Sequence, residues 1–213
     1  DNSCAPPLEA IRQREPVAEG AAAEQVNWDA VVKFLSRCQN RPGTEHPVSL
    51  RPEDVGGFFY EPNGGKAGSD TDAEGRPIYY THGTATYGAL MSLLYAQVDR
   101  GDPRVRMAVE WIRRNWTLDE HPGCGREGLY FHYYTIAKAL RAYGEEPLTL
   151  EDGTKVDWRK ALTVKLCSLQ RVDPETGLGY WVNDVGRWME NDPVLVTAYS
   201  LLTLEMLVSE TPF

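Results

Sequence analysis

Apolar residues recur at helical spacing along most of the chain, in segments of two alternating kinds. Segments of the first kind carry an apolar stripe on one face, as around Leu35, Ile112 and Leu166, which is typical of the outer helices of a fold. Segments of the second kind are apolar almost all round and rich in small residues, which favours burial. They are 84–95, 130–143 and 193–207. We expect no strand of any length between them.

The first kind of segment repeats a short pattern. An aromatic residue or Lys precedes Leu or Ile, and Gln or Trp follows four residues later, with a Gly-aromatic cluster across the next loop. The copies run from Phe34 to Gln39, from Trp111 to Trp116 and from Lys165 to Gln170, followed by Gly57–Tyr60, Gly128–Phe131 and Gly177–Trp181. The repeating unit is about 50 residues long, with an insertion in the first copy, as expected of a repeat architecture.

Helix boundaries can be read from caps and breakers. An acid precedes a proline at Asp102 and at Asp192, while Asn27 and Asp157 precede tryptophans, and such residues favour helix starts. Gly144 stands where a helix should stop. We therefore predict an all-α fold, an α/α toroid or partial toroid of about three helical hairpins over residues 27–213, after an N-terminal loop or linker at 1–26. The alternative is an irregular helical bundle.

The third repeat carries the most specific pattern. Its Lys160 and Ala161, continuing through Leu166 to Gln170, Gly179 and Trp181, resemble the QW motif of squalene and oxidosqualene cyclases. The stretches at 81–96, 128–140 and 187–207 resemble bacterial proteins of the squalene-cyclase and prenyltransferase repeat superfamily. The resemblance covers the chain from about Trp28 to Leu207 and implies an α/α toroid, in which the Gln and Trp tie neighbouring repeats together.

The same resemblance bears on the length of the protein. Complete toroids of this superfamily have five to seven helical hairpins, whereas six helices are predicted here. We therefore expect the chain to be the C-terminal part of a longer polypeptide, with an upstream part as a partner. Bacterial proteins of this appearance often carry an export signal, and the start at Asp1 permits one, so an extracytoplasmic location is favoured.

The catalytic motif of the cyclases has no counterpart in the sequence. These enzymes protonate their substrate with an Asp held among further acids. The nearest string contains Asp70 and Asp72, but it lacks the further acid and lies in a Gly-rich segment, which predicts a solvated turn. The Gly-Gly-Lys string ending at Lys66 follows no strand and is also predicted to be a surface turn.

Overall composition narrows the classes of partner. The net charge is −9, which argues against nucleic acid, because phosphate binding needs clustered basic residues. No apolar run is long enough to span a membrane. The four cysteines are scattered without a C-x-x-C pair, so we predict no disulfide framework, and one or two disulfides are left open.

The candidate catalytic residues converge where the buried helices begin. Their first turns and preceding loops would bring His82, His132, Glu190 and Asp192 to one rim, where His could shuttle protons with an acidic partner. Each also has a structural alternative, such as an N-cap for Asp192. Tyrosine and tryptophan side chains would line a central cavity for an apolar or cyclic small molecule. The predicted ligand-binding residues are Tyr87, Tyr133, Tyr134 and Trp188.

A zinc site is a further hypothesis that the spacing raises. His121 and Cys124, with Asp119 before them and His132 after, could converge on a metal ion. The simpler interpretation is a Pro-Gly turn with an incidental thiol. We therefore predict no metal and no cofactor, with His121 and Cys124 as the alternative ligands.

Three functions stay open from the sequence. The first is a binding or scaffold domain that keeps the cavity without the acid motif, which we favour. The second is an isoprenoid-processing enzyme resembling terpene cyclases or prenyltransferases. The third is a polysaccharide lyase or hydrolase, because α/α toroids also host that chemistry.

Overall fold

The part of the chain that the structure describes is mostly helical and contains six α-helices. The computed structural model describes residues 26–44, 47, 49 and 51–209. The helices are α1 (Trp28–Cys38), α2 (Gly83–Tyr95), α3 (Pro103–Arg114), α4 (Leu129–Tyr143), α5 (Trp158–Leu169) and α6 (Pro193–Val208). All but the last residue of the predicted N-terminal loop at 1–26 lies outside the described residues.

The caps that the sequence predicts are confirmed. The side chains of Asn27, Asp102, Asp157 and Asp192 each accept a hydrogen bond from a backbone N–H in the first turn of the following helix. These bonds satisfy donors that have no partner within the helix itself. Gly144 ends α4 with a φ of 70°, a left-handed conformation that glycine adopts at little cost.

Three short antiparallel hairpins correct the prediction of an all-α chain without strands. They are β1 (Ser69–Thr71) with β2 (Pro77–Tyr79), β3 (Leu148–Thr149) with β4 (Lys155–Val156), and β5 (Arg171–Val172) with β6 (Gly179–Tyr180). Each strand has only two or three residues. This is too short to show the alternation of apolar and polar residues that identifies a strand in a sequence.

The apolar pattern predicts burial correctly for α2 and α4, but α6, also predicted to be buried, leaves Val194, Leu201, Leu202 and Val208 exposed. The helices α2, α4 and α6 pack side by side with α4 in the middle, while α1 and α3 pack on α2, and α5 packs on α6. Leu90 and Leu93 of α2, Ile136 and Leu140 of α4, and Val196 of α6 are almost completely buried. Burial of such side chains contributes about 1.5–3 kcal/mol each to folding, so the central three helices form the main core.

The cysteines in the described part of the chain do not pair. Cys38 is buried, Cys124 is half-buried and Cys167 is exposed, and all three are free thiols. Among the helices described, none combines the length and the apolar character that crossing a membrane would require.

Candidate functional site

Three histidines meet where α2 and α4 begin. His82 is the N-cap of α2, and its Nδ1 accepts the backbone N–H of Ala85 at 3.4 Å. His132 lies in the first turn of α4, and His121 in the loop before it. The chain has four histidines, so three of them come from distant sequence positions into one group, which we call the histidine cluster.

The rings of the histidine cluster are in direct contact. The imidazoles of His121 and His132 stack with their centroids 4.5 Å apart and their planes at 20°, and the ring of His82 stands edge-on to His121 at 5.4 Å. Gly83 makes this approach feasible, because a Cβ at this position would overlap the ring of His132. A side chain at position 83 would therefore push the histidines apart.

A tight turn delivers His121 and Cys124 together. The N–H of Cys124 donates to the carbonyl of His121 at 2.8 Å across Pro122 and Gly123, and Gly123 has a φ of 81°, as a turn with Pro then Gly requires. The turn is fastened to α2 because the N–H of Gly83 donates to the Pro122 carbonyl at 2.9 Å. One ring nitrogen each of His82 and His121 and the Sγ of Cys124 lie within 4.8 Å of one another.

The hydrogen bonds define the tautomer of His121. Its Nδ1 lies 2.8 Å from the carbonyl of Glu127, which can only accept, so Nδ1 carries the proton. Its Nε2 then accepts the N–H of Thr84 at 3.0 Å. By contrast, Nε2 of His82 and both ring nitrogens of His132 are buried and find no hydrogen-bond partner in the part of the chain that the structure describes, which is costly unless something else binds them.

Burial keeps the whole cluster uncharged. It lowers the pKa of His82 to about 3, and the neighbouring His121 and Lys66 add to this effect. Burial also lowers the pKa of His121, against the Glu127 carbonyl and carboxylate, and holds the pKa of His132 well below its usual range. Burial raises the pKa of the Cys124 thiol to about 11. All three imidazoles are therefore neutral at pH 7, and the isolated thiol keeps its proton.

A cleft of about 560 Å³ opens beside the cluster. Its walls are mainly aromatic and aliphatic, and its polar lining includes His82, His121, Thr84, Lys66 and Glu190. The apolar lining comprises Phe34, Leu35, Cys38, Phe58, Phe59, Tyr60, Ala85, Gly88, Ala89, Phe131, Trp188 and Tyr199. Three of these aromatics, Phe34, Phe131 and Trp188, keep 46%, 41% and 41% of their surface exposed, so apolar surface faces the cleft rather than the core.

Glu190 stands at the same rim as the cap of α4. Its carboxylate accepts the N–H groups of Phe131 at 2.8 Å and Tyr130 at 3.3 Å, and the side-chain amide of Asn183 at 2.7 Å. The residue at the N-cap position, Gly128, makes no side-chain cap bond of its own. A buried anion at a helix N-terminus is stabilised by the free N–H groups and the helix dipole, so Glu190 has a structural role.

The structure separates the predicted site residues into two groups. His82, Glu190 and Trp188 line the cleft, and His132 lies behind His121. Asp192 caps α6 through the N–H of Val194. The predicted ligand-binding tyrosines are set back from the cleft. Tyr87 is buried edge-on against His132, Tyr133 donates its hydroxyl to the Leu118 carbonyl, and Tyr134 packs between Phe131 and Tyr199.

Several cleft residues were missed by sequence reasoning. Phe34 and Leu35 of α1, Phe58 and Phe59 of the following cluster, and Lys66 of the predicted surface turn all line the cleft. The aromatic residues belonged to the repeat pattern, which marked them as structural. The only signal for Lys66 was its place in a Gly-rich segment, and the structure holds its ammonium group 4.5 Å from the ring centre of Tyr60.

The acids of the string that most resembles a cyclase motif lie elsewhere. Asp70 is on the exposed strand β1, and Asp72 pairs with Arg76 at 2.7 Å in the turn between β1 and β2. Neither lines the cleft. Comparison of the chain with models of protein families, with curated proteins and with solved structures gave no match.

Proposed function

We propose that this chain is a binding domain that takes an apolar, ring-containing small molecule in the aromatic cleft. The observation that carries the proposal is the cleft itself. Its volume of about 560 Å³ lies within the range of roughly 300–1,000 Å³ that small-molecule sites occupy. Aromatic side chains offer flat apolar surface that complements rings.

The proposed ligand has one polar group. The polar side chains of the cleft include two neutral histidines, the hydroxyl of Thr84 and the ammonium group of Lys66. Neutral imidazoles and a hydroxyl can form hydrogen bonds, and the Lys66 ammonium adds one positive charge. A hydroxyl, carbonyl or carboxylate on an otherwise apolar ring system would satisfy these groups without burying unpaired charge.

We also propose that the helices form an arc of the squalene-cyclase and prenyltransferase repeat type. The side-by-side packing of α2, α4 and α6, with α1 and α3 against α2 and α5 against α6, supports an arc with an inner and an outer layer. In such an arc the inner helices begin at one rim, which is where the cleft and the histidine cluster lie.

Binding is favoured over isoprenoid cyclisation because, among the described residues of the cleft, no acid is free to protonate a substrate. Glu190 is the carboxyl group in the cleft lining, and its oxygens accept the N–H groups of α4. His82, whose pKa is about 3, is also a poor proton shuttle at neutral pH, since a general base works best with a pKa near the operating pH.

A polysaccharide lyase or hydrolase is disfavoured by the same lining. Glycoside hydrolysis commonly uses two carboxyl groups on either side of the substrate. Among the described residues that line the cleft, Glu190 is the one acid, and it is engaged as a helix cap. Among the described residues of the cleft, there is therefore no free proton donor for either isoprenoid processing or polysaccharide cleavage.

The test fills the cleft with one added side chain on α2. Gly88 of α2 lines the cleft, and a Cβ built on it meets no atom within 4 Å. The variant Gly88→Leu should therefore fold, since Leu also favours the helix, while its side chain occupies the space. Wild type and variant are titrated with a panel of polycyclic terpenoids, open-chain isoprenoids and oligosaccharides, followed by intrinsic tryptophan fluorescence, to which Trp188 at the cleft contributes, and by calorimetry.

We expect at least one ring-containing apolar compound to bind wild type and to lose at least tenfold in affinity with Gly88→Leu. The matched control is Ser168→Leu, which adds the same side chain on the exposed face of α5 and should bind as wild type does. Absence of binding across the panel, or equal binding by Gly88→Leu and wild type, would refute the proposal.

A further inference from the structure

We propose that His82, His121 and Cys124 form a binding site for a divalent transition metal of the zinc type beside the cleft. The three residues come from the N-cap of α2 and from the turn before α4. Their donor atoms already lie within 4.8 Å of one another. The site is independent of whether the cleft binds an apolar ligand.

The spacing of the donors fits a tetrahedral ion after a small adjustment. Zinc lies about 2.0–2.1 Å from imidazole nitrogen and about 2.3 Å from thiolate sulfur. Ligand atoms on a tetrahedron of these dimensions are about 3.3–3.6 Å apart. A separation of up to 4.8 Å therefore closes by about an ångström, which small side-chain rotations on the turn and at the N-cap provide.

The unpartnered nitrogen of His82 is a second, independent sign of a missing ligand. The residue is 4% exposed, and its Nε2 has no hydrogen-bond partner among the described residues. Buried polar atoms are almost always bonded to protein, water or an ion. Metal binding at Nε2 moves the ring proton from Nε2 to Nδ1, which gives up the 3.4 Å cap bond from the Ala85 N–H and frees the Nε2 lone pair for the ion.

The surroundings of His121 are those of a metal ligand. Its Nδ1 donates to the Glu127 carbonyl at 2.8 Å, and such an outer bond fixes the ring and leaves Nε2 to face the metal. That Nε2 now accepts the N–H of Thr84 at 3.0 Å. Metal binding replaces this hydrogen bond, and the 3.0 Å contact of Nε2 with the Thr84 hydroxyl, by a coordinate bond. The Thr84 N–H, a first-turn donor, is then left to water at the cleft.

The donor set selects the class of ion. Two imidazoles and one thiolate suit zinc, cobalt and related borderline metals, whereas magnesium and calcium prefer oxygen. The Cys124 thiol gives its proton to solvent as the metal–sulfur bond forms. Three protein ligands leave a fourth position, and since His82 and His121 line the cleft, that position can be taken by water or by the polar group of a bound molecule.

The experiment measures metal alone, with no organic ligand added. The full chain is stripped with a chelator and titrated with Zn²⁺ against a competing chromophoric chelator, and separately with Co²⁺ while the visible and near-ultraviolet spectrum is recorded. We expect one equivalent of either metal to bind, with the d–d bands of tetrahedral Co²⁺ and a thiolate-to-cobalt charge-transfer band. Excess Mg²⁺ should not compete.

Matched variants assign the ligands. His82→Asn keeps a side chain that caps helices well and removes a ligand, and Cys124→Ala removes the thiolate. We expect each to weaken Zn²⁺ binding at least 100-fold, and Cys124→Ala to abolish the charge-transfer band. Cys167→Ser, which changes an exposed thiol far along the chain, should bind as wild type does.

Three outcomes would overturn the metal site. They are the absence of stoichiometric binding to wild type, a Co²⁺ spectrum without the thiolate band, and full affinity in both His82→Asn and Cys124→Ala. Any of them leaves His82 and His121 as caps of α2. Because no apolar compound is present, none of these outcomes bears on the proposed binding in the cleft.

Discussion

Trp181 joins α5 to α6 by hydrogen bonds. Its indole Nε1 donates to the carbonyl of Leu166 in α5 at 2.8 Å, and its backbone N–H donates to Thr197 of α6 at 3.1 Å. The side chain is 2% exposed. Gln170 lies against Gly179, where a Cβ would overlap its amide. The QW-like pair therefore joins the end of an outer helix to the inner helix that follows.

We expect Trp181→Phe to lower the free energy of unfolding by about 2–4 kcal/mol, from the loss of the buried hydrogen bond and of packed ring volume. The measurement is urea denaturation followed by far-ultraviolet circular dichroism. Trp28→Phe is the control, because Trp28 is 41% exposed and should change stability by no more than about 0.5 kcal/mol. Equal effects of the two substitutions would contradict the joining role.

At the scale of single residues, the sequence predicted that His82, His132, Glu190 and Asp192 would converge at the start of the buried helices. In the structure His82 and Glu190 line the cleft, His132 stacks on His121, and Asp192 caps α6. Except for the cap at Asp192, the sequence did not predict the role that each of these residues has. Glu190 caps α4 because the N-cap residue of this helix, Gly128, has no side chain to cap with. Which polar group meets which helix end depends on how the hairpins pack, and that is a long-range property.

At the scale of elements, the N-terminus of α4 is capped by a residue about 60 positions further along the chain. Glu190 follows a short 3-10 turn, Arg187–Met189, in which Trp188 and Met189 take left-handed φ values of 56° and 63°. Residues other than glycine rarely adopt this region, and the conformation is costly. The turn holds Glu190 under α4 and Trp188 at the cleft, so a single loop serves both folding and the candidate site.

We predict that Glu190→Gln destabilises the fold by about 1–3 kcal/mol, since a buried charged acceptor is lost and one amide N–H is brought against the N–H donors of α4. Thermal and urea unfolding of the variant provide the measurement. Glu175→Gln is the matched control at an exposed position, where little change is expected. A variant as stable as this control would show that Glu190 is not the cap that α4 needs.

Helices and strands were not equally predictable. The six helices follow from apolar patterns of 11 to 16 residues and from caps that belong to the adjoining residues, so both kinds of signal are local. The strands β3 to β6 have two residues each and form because the loops bring their ends together. The sequence around them therefore carried turn residues but no strand pattern.

At the scale of the whole molecule, the position of α4 between α2 and α6 is the central organising fact. The alternation of amphipathic and wholly apolar segments predicted an inner and an outer set of helices, and the packing follows that division. The pattern predicted a cavity lined by Tyr and Trp, but it could not predict the lining of the observed cleft, since this wall combines Phe34 of α1 with Trp188 and Tyr199 from distant positions in the chain. Cavities depend on what packing leaves unfilled.

The packing order predicts how protection from hydrogen exchange is distributed. Ile136, Ala137 and Leu140 of α4 are almost completely buried, whereas α6 leaves Val194, Leu201, Leu202 and Val208 from 45% to 77% exposed. Amides open with a free energy that rises with the buried contacts around them. We therefore expect the slowest exchange in α4, and faster exchange by at least tenfold along the exposed flank of α6.

Native-state exchange read by mass spectrometry of overlapping peptides measures this order directly. The mid-helix amides of α4 should exchange only through global unfolding, so that their opening free energy equals that from urea denaturation. Peptides from α6 should exchange through a smaller opening that leaves α2 and α4 closed, because α6 packs on the core from one side. If α6 exchanges as slowly as α4, the helices unfold as one unit. The central position of α4 would then not determine the order of exchange.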